Sequence, residues 1–358
     1  MYLSFASHCQ IKIDNQPKEW NAFLKSSYWH YHSVETAQYT DLNVEFISKI
    51  PSPTQKILHP KYGSYGHNFI IYDHKKRRVA FDFSNVGIKP TKLLVEEKFD
   101  LGTLEKLLFD LVKIVLLGKQ VACIHASSFL TSEGAKMIAG WEGIGKSSIM
   151  LKKVYNGDYF LSDDRSFITI DGLVFPIYSD VKQYSGEFTS FKELLKHSSF
   201  KERLIIKLNS YLHKIRDNND SPKLHFGIQK ILNLLRRLHL YKIHIPLEKI
   251  SIGKNEGFKL KDVFVLQQVS HKETDKEKIE TKDIITSLIN TTKFDDTGMF
   301  KLYQSYKYLF PNHPNEILET YEIKIRDVLN GGFSKANVSL NTVLLNASIS
   351  DTVKYINA

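Results

Sequence analysis

Ile124–Ile170 reads IHASSFLTSEGAKMIAGWEGIGKSSIMLKKVYNGDYFLSDDRSFITI, and its reading decides the fold. Within it, Gly140-Trp141-Glu142-Gly143-Ile144-Gly145-Lys146-Ser147 fits G-x-x-x-x-G-K-[ST], the pattern of a phosphate-binding loop. The apolar run Ala135–Ala139 precedes it as a buried strand, and Ser147–Val154 follows as the start of a helix. Strand, glycine loop and helix together form a phosphate cradle. The three glycines let the backbone turn its N–H groups inward, and the helix N-terminus adds partial positive charge. The pattern predicts Lys146 on the β/γ-phosphates of ATP and the Ser147 hydroxyl on Mg²⁺, with Ser148 closing the loop. An ordinary glycine-rich turn carries similar residues, so the neighbours matter.

About fifteen residues beyond Lys146 stands Asp163-Asp164, just after the apolar Tyr159-Phe160. Paired carboxylates at a strand end repel unless a cation neutralises them, and Mg²⁺ does that. His125 ends the apolar Val121–Ile124. If these strands are neighbours, His125, Lys146, Asp163 and Asp164 meet at one edge of a sheet, where ligands bind in open α/β folds. Taken singly, an Asp-Asp is a solvated turn and a lone His a satisfied residue; the phosphate loop beside them changes the reading.

The stretch resembles the catalytic core of HPr kinase and its paralogues, which share a fold with phosphoenolpyruvate carboxykinase. The matching residues are His125, Gly140–Ser147 and Ser162-Asp163-Asp164-Arg165, within about fifty residues of the 358. Ile245–Ile250 and Val263–Leu266 look like closing strands of that core. The resemblance implies an α/β fold with a P-loop kinase core. It also implies transfer of the ATP γ-phosphoryl group to a hydroxyl of a small molecule or of a peptide or protein Ser/Thr. It casts Asp164 as the base, His125 as a group orienting it, Lys146 on the phosphates, and Ser147 with Asp163 on Mg²⁺. The residues alone leave open which aspartate takes which role. Arg165 either stabilises transition-state charge or pairs with an aspartate. HPr kinase uses a further Glu, for which Glu187 is a weak candidate. HPr kinase is usually a hexamer, so a homo-oligomer is an expectation of the same kind. Its HPr-contacting helices are not recognisable here. An ATP-hydrolysing switch acting on a protein partner is the alternative reading.

Composition bounds the rest. Apolar residues make up 42%, enough for a sizeable core. The net charge of +10 suits an acidic partner, and ATP is one, so it is a weak argument for nucleic acid. Two cysteines, Cys9 and Cys123, make neither a disulfide framework nor a zinc set, and a reducing, cytoplasmic setting fits. Met1–Ile13 lacks the basic region of a secretory leader, and Leu101–Leu117 carries four charges, so no membrane span is expected.

The chain divides into an N-terminal mixed β/α region (1–118), the core (119–270) and a C-terminal helical extension (271–358). Leu42–Ile47 alternates as a half-buried strand, Asn68–Phe83 forms a hairpin, and Thr103–Leu117 is an amphipathic helix ended by Gly118. Asp171-Gly172 turns a second hairpin, His271–Lys282 reads as a charged linker, and Gly331-Gly332 reads as a flexible break. Between 187 and 244, Phe191–Leu212 and Phe226–Tyr241 read as helices of an insertion foreign to the compact paralogues. From 196 to 244 the balance is +8, eleven basic residues against three acidic. Such a lid either clamps an anionic acceptor, with Arg203, Arg236 and Arg237 as candidates, or simply faces water.

Overall fold

The computed structural model describes residues 1–27, 29–50, 55–58, 60–179, 181–184, 242–245, 250–268, 275–278 and 280–345, with scattered residues between 203 and 234 and at 247 and 356. The expected insertion helices, Glu187, Arg236 and Arg237 therefore lie outside the described residues, apart from isolated helical positions.

Period-two alternation builds the N-terminal sheet. Its strands are β1 (Tyr2–Phe5), β2 (Cys9–Asp14), β3 (Ser33–Val34), β4 (Leu42–Ile47) and β5 (Lys56–Leu58), then β6 (Tyr62–Tyr65), β7 (Asn68–Tyr72), β8 (Arg78–Phe81) and β9 (Thr91–Glu96). They lie in the order β3-β1-β2-β4-β9-β8-β7-β6-β5. Strand β4 buries Leu42, Val44 and Phe46 and leaves the residues between half-buried, as its alternation predicts. The β7–β8 hairpin forms as expected, and the Asp73 carboxylate accepts from the N–H groups of Lys75 and Arg77 to shape its basic tip. A short helix, α1 (Lys18–Ser26), and a 3₁₀ turn, Trp29–His32, lie between β2 and β3.

Helix α2 (Leu101–Gly118) starts at Asp100, whose carboxylate accepts from the Thr103 N–H. Its apolar face packs against both β2 and the first strand of the second sheet, β10 (Val121–Ile124). One contiguous apolar cluster runs from Leu3 and Phe81 through Leu108 and Leu111 to Phe167 and Leu329. Each such side chain contributes about 1.5–3 kcal/mol by leaving water.

The second sheet takes β11 (Ala126–Thr131), β12 (Gly134–Gly140), β13 (Tyr159–Ser162), β14 (Ser166–Thr169), β15 (Leu173–Phe175) and β18 (Phe258–Gln268). Helix α3 (Lys146–Tyr155) follows β12. Strand order is β10-β14-β15-β18-β12-β11-β13. Strands β12 and β18 run parallel, with Gly140 opposite Leu266, while β11 is antiparallel to both β12 and β13. This mixed, open sheet with helices packed on it makes the chain an α/β protein. The Asp171-Gly172 hairpin joins β14 and β15 as expected. Of Ile245–Ile250, expected as a closing strand, Ile245 instead ends β17 (Lys242–Ile245), which pairs with β16 (Val181–Tyr184) in a separate two-stranded sheet.

The C-terminal region departs further from expectation. Within the expected linker, Asp275–Lys278 forms β19, an edge strand antiparallel to β20 (Ser339–Leu345), and β20 runs parallel to β18. The helices are α4 (Thr281–Asp295), α5 (Thr297–Leu309), α6 (Glu316–Glu319) and α7 (Tyr321–Ala336). Gly331 and Gly332 are not a break but the interior of α7. A Cβ on Gly331 would meet Ile170 Cγ1 at 2.5 Å, and one on Gly332 would meet Thr169 O at 2.8 Å. The two glycines let the helix backbone lie directly on the β14–β15 turn, and that close approach outweighs their poor helix propensity.

Gly332→Ala should therefore destabilise the fold by about 1–3 kcal/mol, although alanine is the better helix former by about 1 kcal/mol. Urea denaturation checks this; a more stable variant would mean that the helix and turn are not in close contact.

Candidate functional site

The strand registers bring the predicted residues together. Ala126 lies opposite Ala139, so His125 stands beside Gly140 at the end of β12. Ser128 lies opposite Ser162, so Asp163 and Asp164 leave β13 at the same edge. His125, the glycine loop, Lys146, Asp163 and Asp164 thus share the edge where β12 and β18 end.

Gly140, Gly143 and Gly145 all have positive φ, at 149°, 79° and 98°. A Cβ on Gly140 would come within 2.9 Å of Leu266 O, whereas Gly143 meets nothing within 4 Å. Gly145 caps α3 without any side-chain acceptor, which leaves the first-turn N–H groups of that helix to the loop. Trp141, Glu142 and Gly143 are exposed, and Ile144 and Ser147 are half-buried. Ser148 is fully buried beneath the loop. The Trp141 ring packs on Phe294 of α4, with centroids 4.7 Å apart.

Lys146 is buried. Its ammonium donates to Gly140 O at 2.8 Å and Trp141 O at 3.1 Å, and lies 3.0 Å from His125 Nε2. Burial holds Lys146 below the usual lysine range, while Asp164 and Asp163 pull it back up. An ammonium can only donate, so His125 Nε2 accepts and the ring proton sits on Nδ1. That nitrogen faces Asp295 Oδ2 at 3.3 Å. The backbone N–H of His125 donates to Thr292 Oγ1 at 3.0 Å, so α4 positions the ring from both ends.

The aspartates differ sharply. Asp163 is 5% exposed and accepts from Ser127 Oγ at 2.9 Å and from the Ser147 hydroxyl. Burial, then repulsion from Asp164, pushes its carboxyl up to about 6. Asp164 is exposed, with φ of 60°. Arg165 N donates to Asp163 O at 2.7 Å across it, closing a γ-turn of the strained, positive-φ kind. The turn holds one carboxylate in the protein and points its neighbour outward.

Arg165, left open between two roles by the sequence, is paired. Its guanidinium binds Asp295 and, at 2.9 Å, Asp296 Oδ1. Asp296 also accepts from Lys113 Nζ at 2.7 Å and from the Tyr321 hydroxyl at 2.7 Å. Although burial works the other way, Lys113 and Arg165 hold Asp296 below the ordinary carboxylate range. Sequence reasoning missed Asp295 and Asp296. The available signal was a second Asp-Asp doublet in the expected C-terminal helical extension; it falls at the C-terminal end of α4, where the helix dipole disfavours anions.

Three cavities line this edge. One of about 550 Å³ is bounded by the loop, Val265–Gln267 and α4. The next, about 130 Å³, shares Trp141, Glu142 and Thr291 with it and adds His125, Asp295 and Asp164. The third, about 410 Å³, is also lined by Asp164 and lies against α1 and the 3₁₀ turn.

No helix among the described residues is long and apolar enough to cross a membrane. Both cysteines are buried and free. Comparison of the chain with models of protein families finds no match, and comparison with curated proteins finds none either.

Two outcomes follow from the buried charges. The raised Asp163 carboxyl binds its proton more tightly in the folded chain. Its contribution to stability is therefore full below about pH 4 and lost as pH rises through about 6. Asp163→Asn should raise the melting temperature of the ligand-free protein at pH 8 and change it little at pH 4, as followed by scanning calorimetry. Asp296→Ala leaves Lys113 and Arg165 short of a buried partner and should cost about 3–5 kcal/mol in urea denaturation. A loss below 1 kcal/mol would show that this ion cluster is not structural.

Proposed function

We propose that the chain is an ATP-dependent phosphotransferase with an HPr kinase-like P-loop core. The observation that carries this reading is the division of the aspartate pair beside a glycine loop at a helix N-terminus. Asp163 is buried against Ser147 and Ser127, while Asp164 is exposed next to the cavity of His125 and Glu142. A switch that only hydrolyses ATP has no need of a carboxylate aimed at a third, acceptor-sized cavity.

The loop N–H groups and Lys146 would hold the triphosphate. The nucleoside end has room in the cavity beside Val265–Gln267. Asp163 and Ser147 offer hard oxygen donors, and the raised Asp163 carboxyl marks a point where a cation relieves buried negative charge. Among the described residues no cluster of three His, Cys, Asp or Glu could hold a metal. Mg²⁺ commonly takes only one or two carboxylates beside water and phosphate, so these residues fit it. Bound there, Mg²⁺ would offset charge on the polyphosphate.

Asp164 would accept the proton of the acceptor hydroxyl. The hydroxyl oxygen forms the new bond to the γ-phosphorus, the bond from that phosphorus to the β–γ bridging oxygen breaks, and ADP leaves with those electrons. His125 acts through Lys146. With its backbone anchored on Thr292 and its ring facing Asp295, it would help to hold the lysine in place.

Purified protein with γ-labelled ATP and Mg²⁺ tests the reading against pooled hydroxyl compounds and Ser/Thr peptides. Label should pass to one pool. Lys146→Ala should lower the rate by at least about 100-fold, and Asp164→Asn by about 100- to 10,000-fold, with ADP affinity kept in the latter. Label appearing only as free phosphate, whatever acceptor is present, would replace the transferase with an ATPase.

A further inference from the structure

The third cavity is lined by Asp163, Asp164 and Arg165 but by no residue of the glycine loop, and most of its wall comes from the N-terminal region. The three cavities run in series. Trp141, Glu142 and Thr291 join the first to the second, and Asp164 joins the second to the third. A hydroxyl held in the third cavity would lie beside Asp164, which also lines the cavity next to the glycine loop. We infer that this cavity is the acceptor site, and that it takes a small, uncharged alcohol or phenol with an aromatic or alicyclic body. The inference rests on the phosphotransferase reading above.

The chemistry of the wall selects the class. Its aromatic lining includes Phe23, Trp29, Phe109 and Tyr178. Phe5 supports Trp29 edge to face at 5.2 Å, and the Tyr178 hydroxyl is tied to Gly253 O at 3.0 Å, so the rings are fixed in place. Flat apolar bodies bind such walls without ordering them further. A volume of about 410 Å³ suits a small molecule and is shallow for a folded partner.

One polar group in this wall lacks a partner. His32 is 1% exposed, stacked on Phe5 at 4.3 Å, and neither ring nitrogen has a hydrogen bond. Burial drives the imidazole down to about 3, against the raising effect of the Ser4 backbone. Both nitrogens lie beneath the cavity surface, so the uncharged ring shapes the aromatic wall as a flat body.

Charge argues against an anionic acceptor here. Its acidic lining residues Glu105, Asp163 and Asp164 outnumber the basic Lys106 and Arg165, and Arg165 is already held by Asp295 and Asp296. No surplus positive charge remains among the described lining residues to receive a phosphate or carboxylate group. The basic insertion expected to clamp an anion lies outside the described residues.

The test uses the full chain with 2-phenylethanol and cyclohexylmethanol as neutral probes, beside glycerol 3-phosphate and a Ser/Thr peptide. Binding is read by saturation-transfer NMR without nucleotide, and transfer by label from γ-labelled ATP. The neutral probes should bind and become labelled. Ser26→Trp, at the exposed rim, should fill the cavity and raise their KM at least ten-fold, with ADP affinity within two-fold. Binding of the neutral probes without label transfer would keep the cavity as their site and overturn the kinase reading. Label passing to the peptide or to glycerol 3-phosphate, with the neutral alcohols inert, would overturn the inference and leave the kinase standing. Absence of both binding and transfer would also overturn the inference.

Discussion

The Asp296 carboxylate gathers Lys113 from α2, Arg165 from the turn after β13, and the Tyr321 hydroxyl from α7. It is 2% exposed, so each partner is needed to offset its desolvation. The site depends on this gathering. Arg165 immediately follows the aspartate pair, and holding its guanidinium holds the turn that separates Asp163 from Asp164. The same arginine binds Asp295, which faces His125, which faces Lys146. Placement of the phosphate-loop lysine is thereby linked to helices that begin more than one hundred residues later in the chain.

Local preferences are overruled around this cluster, and the exceptions lie close to the chemistry. Asp164 takes a backbone conformation that costs a non-glycine residue on the order of 1–3 kcal/mol. Asp163 stays buried next to a like charge, which raises its carboxyl. Lys146 is buried and bonded to its own loop. Under the phosphotransferase proposal, a divalent cation would offset the buried charge of Asp163 and a polyphosphate would pair with Lys146. That pattern is typical of a site kept ready at some expense of stability.

Much of the fold was legible because its signals are local. The alternation of β4, the Asp171-Gly172 hairpin, the apolar stripe of α2 and the strand before the glycine loop all appear as predicted. The misreadings share one cause. Gly331-Gly332 looks like a break because glycine is poor in isolated helices, and only the β14–β15 turn beneath α7 shows why side chains are excluded there. Asp275–Lys278 looks like a linker because its charges carry no apolar period, yet an edge strand needs only backbone partners, which β20 supplies.

By itself the sequence determined the residues of the glycine loop, the strand–loop–helix order around them, and the presence of an aspartate pair and a histidine nearby along the chain. These follow from spacing, glycine content and apolar periodicity, which act over a few residues. The tertiary structure alone decided that the pair splits into one buried and one exposed carboxylate. It also decided that His125 is oriented by Asp295 and that the N-terminal region forms a cavity against Asp164. Those outcomes come from contacts between segments far apart in sequence. They depend on strand register and on which charges share a desolvated space, and no local pattern records either.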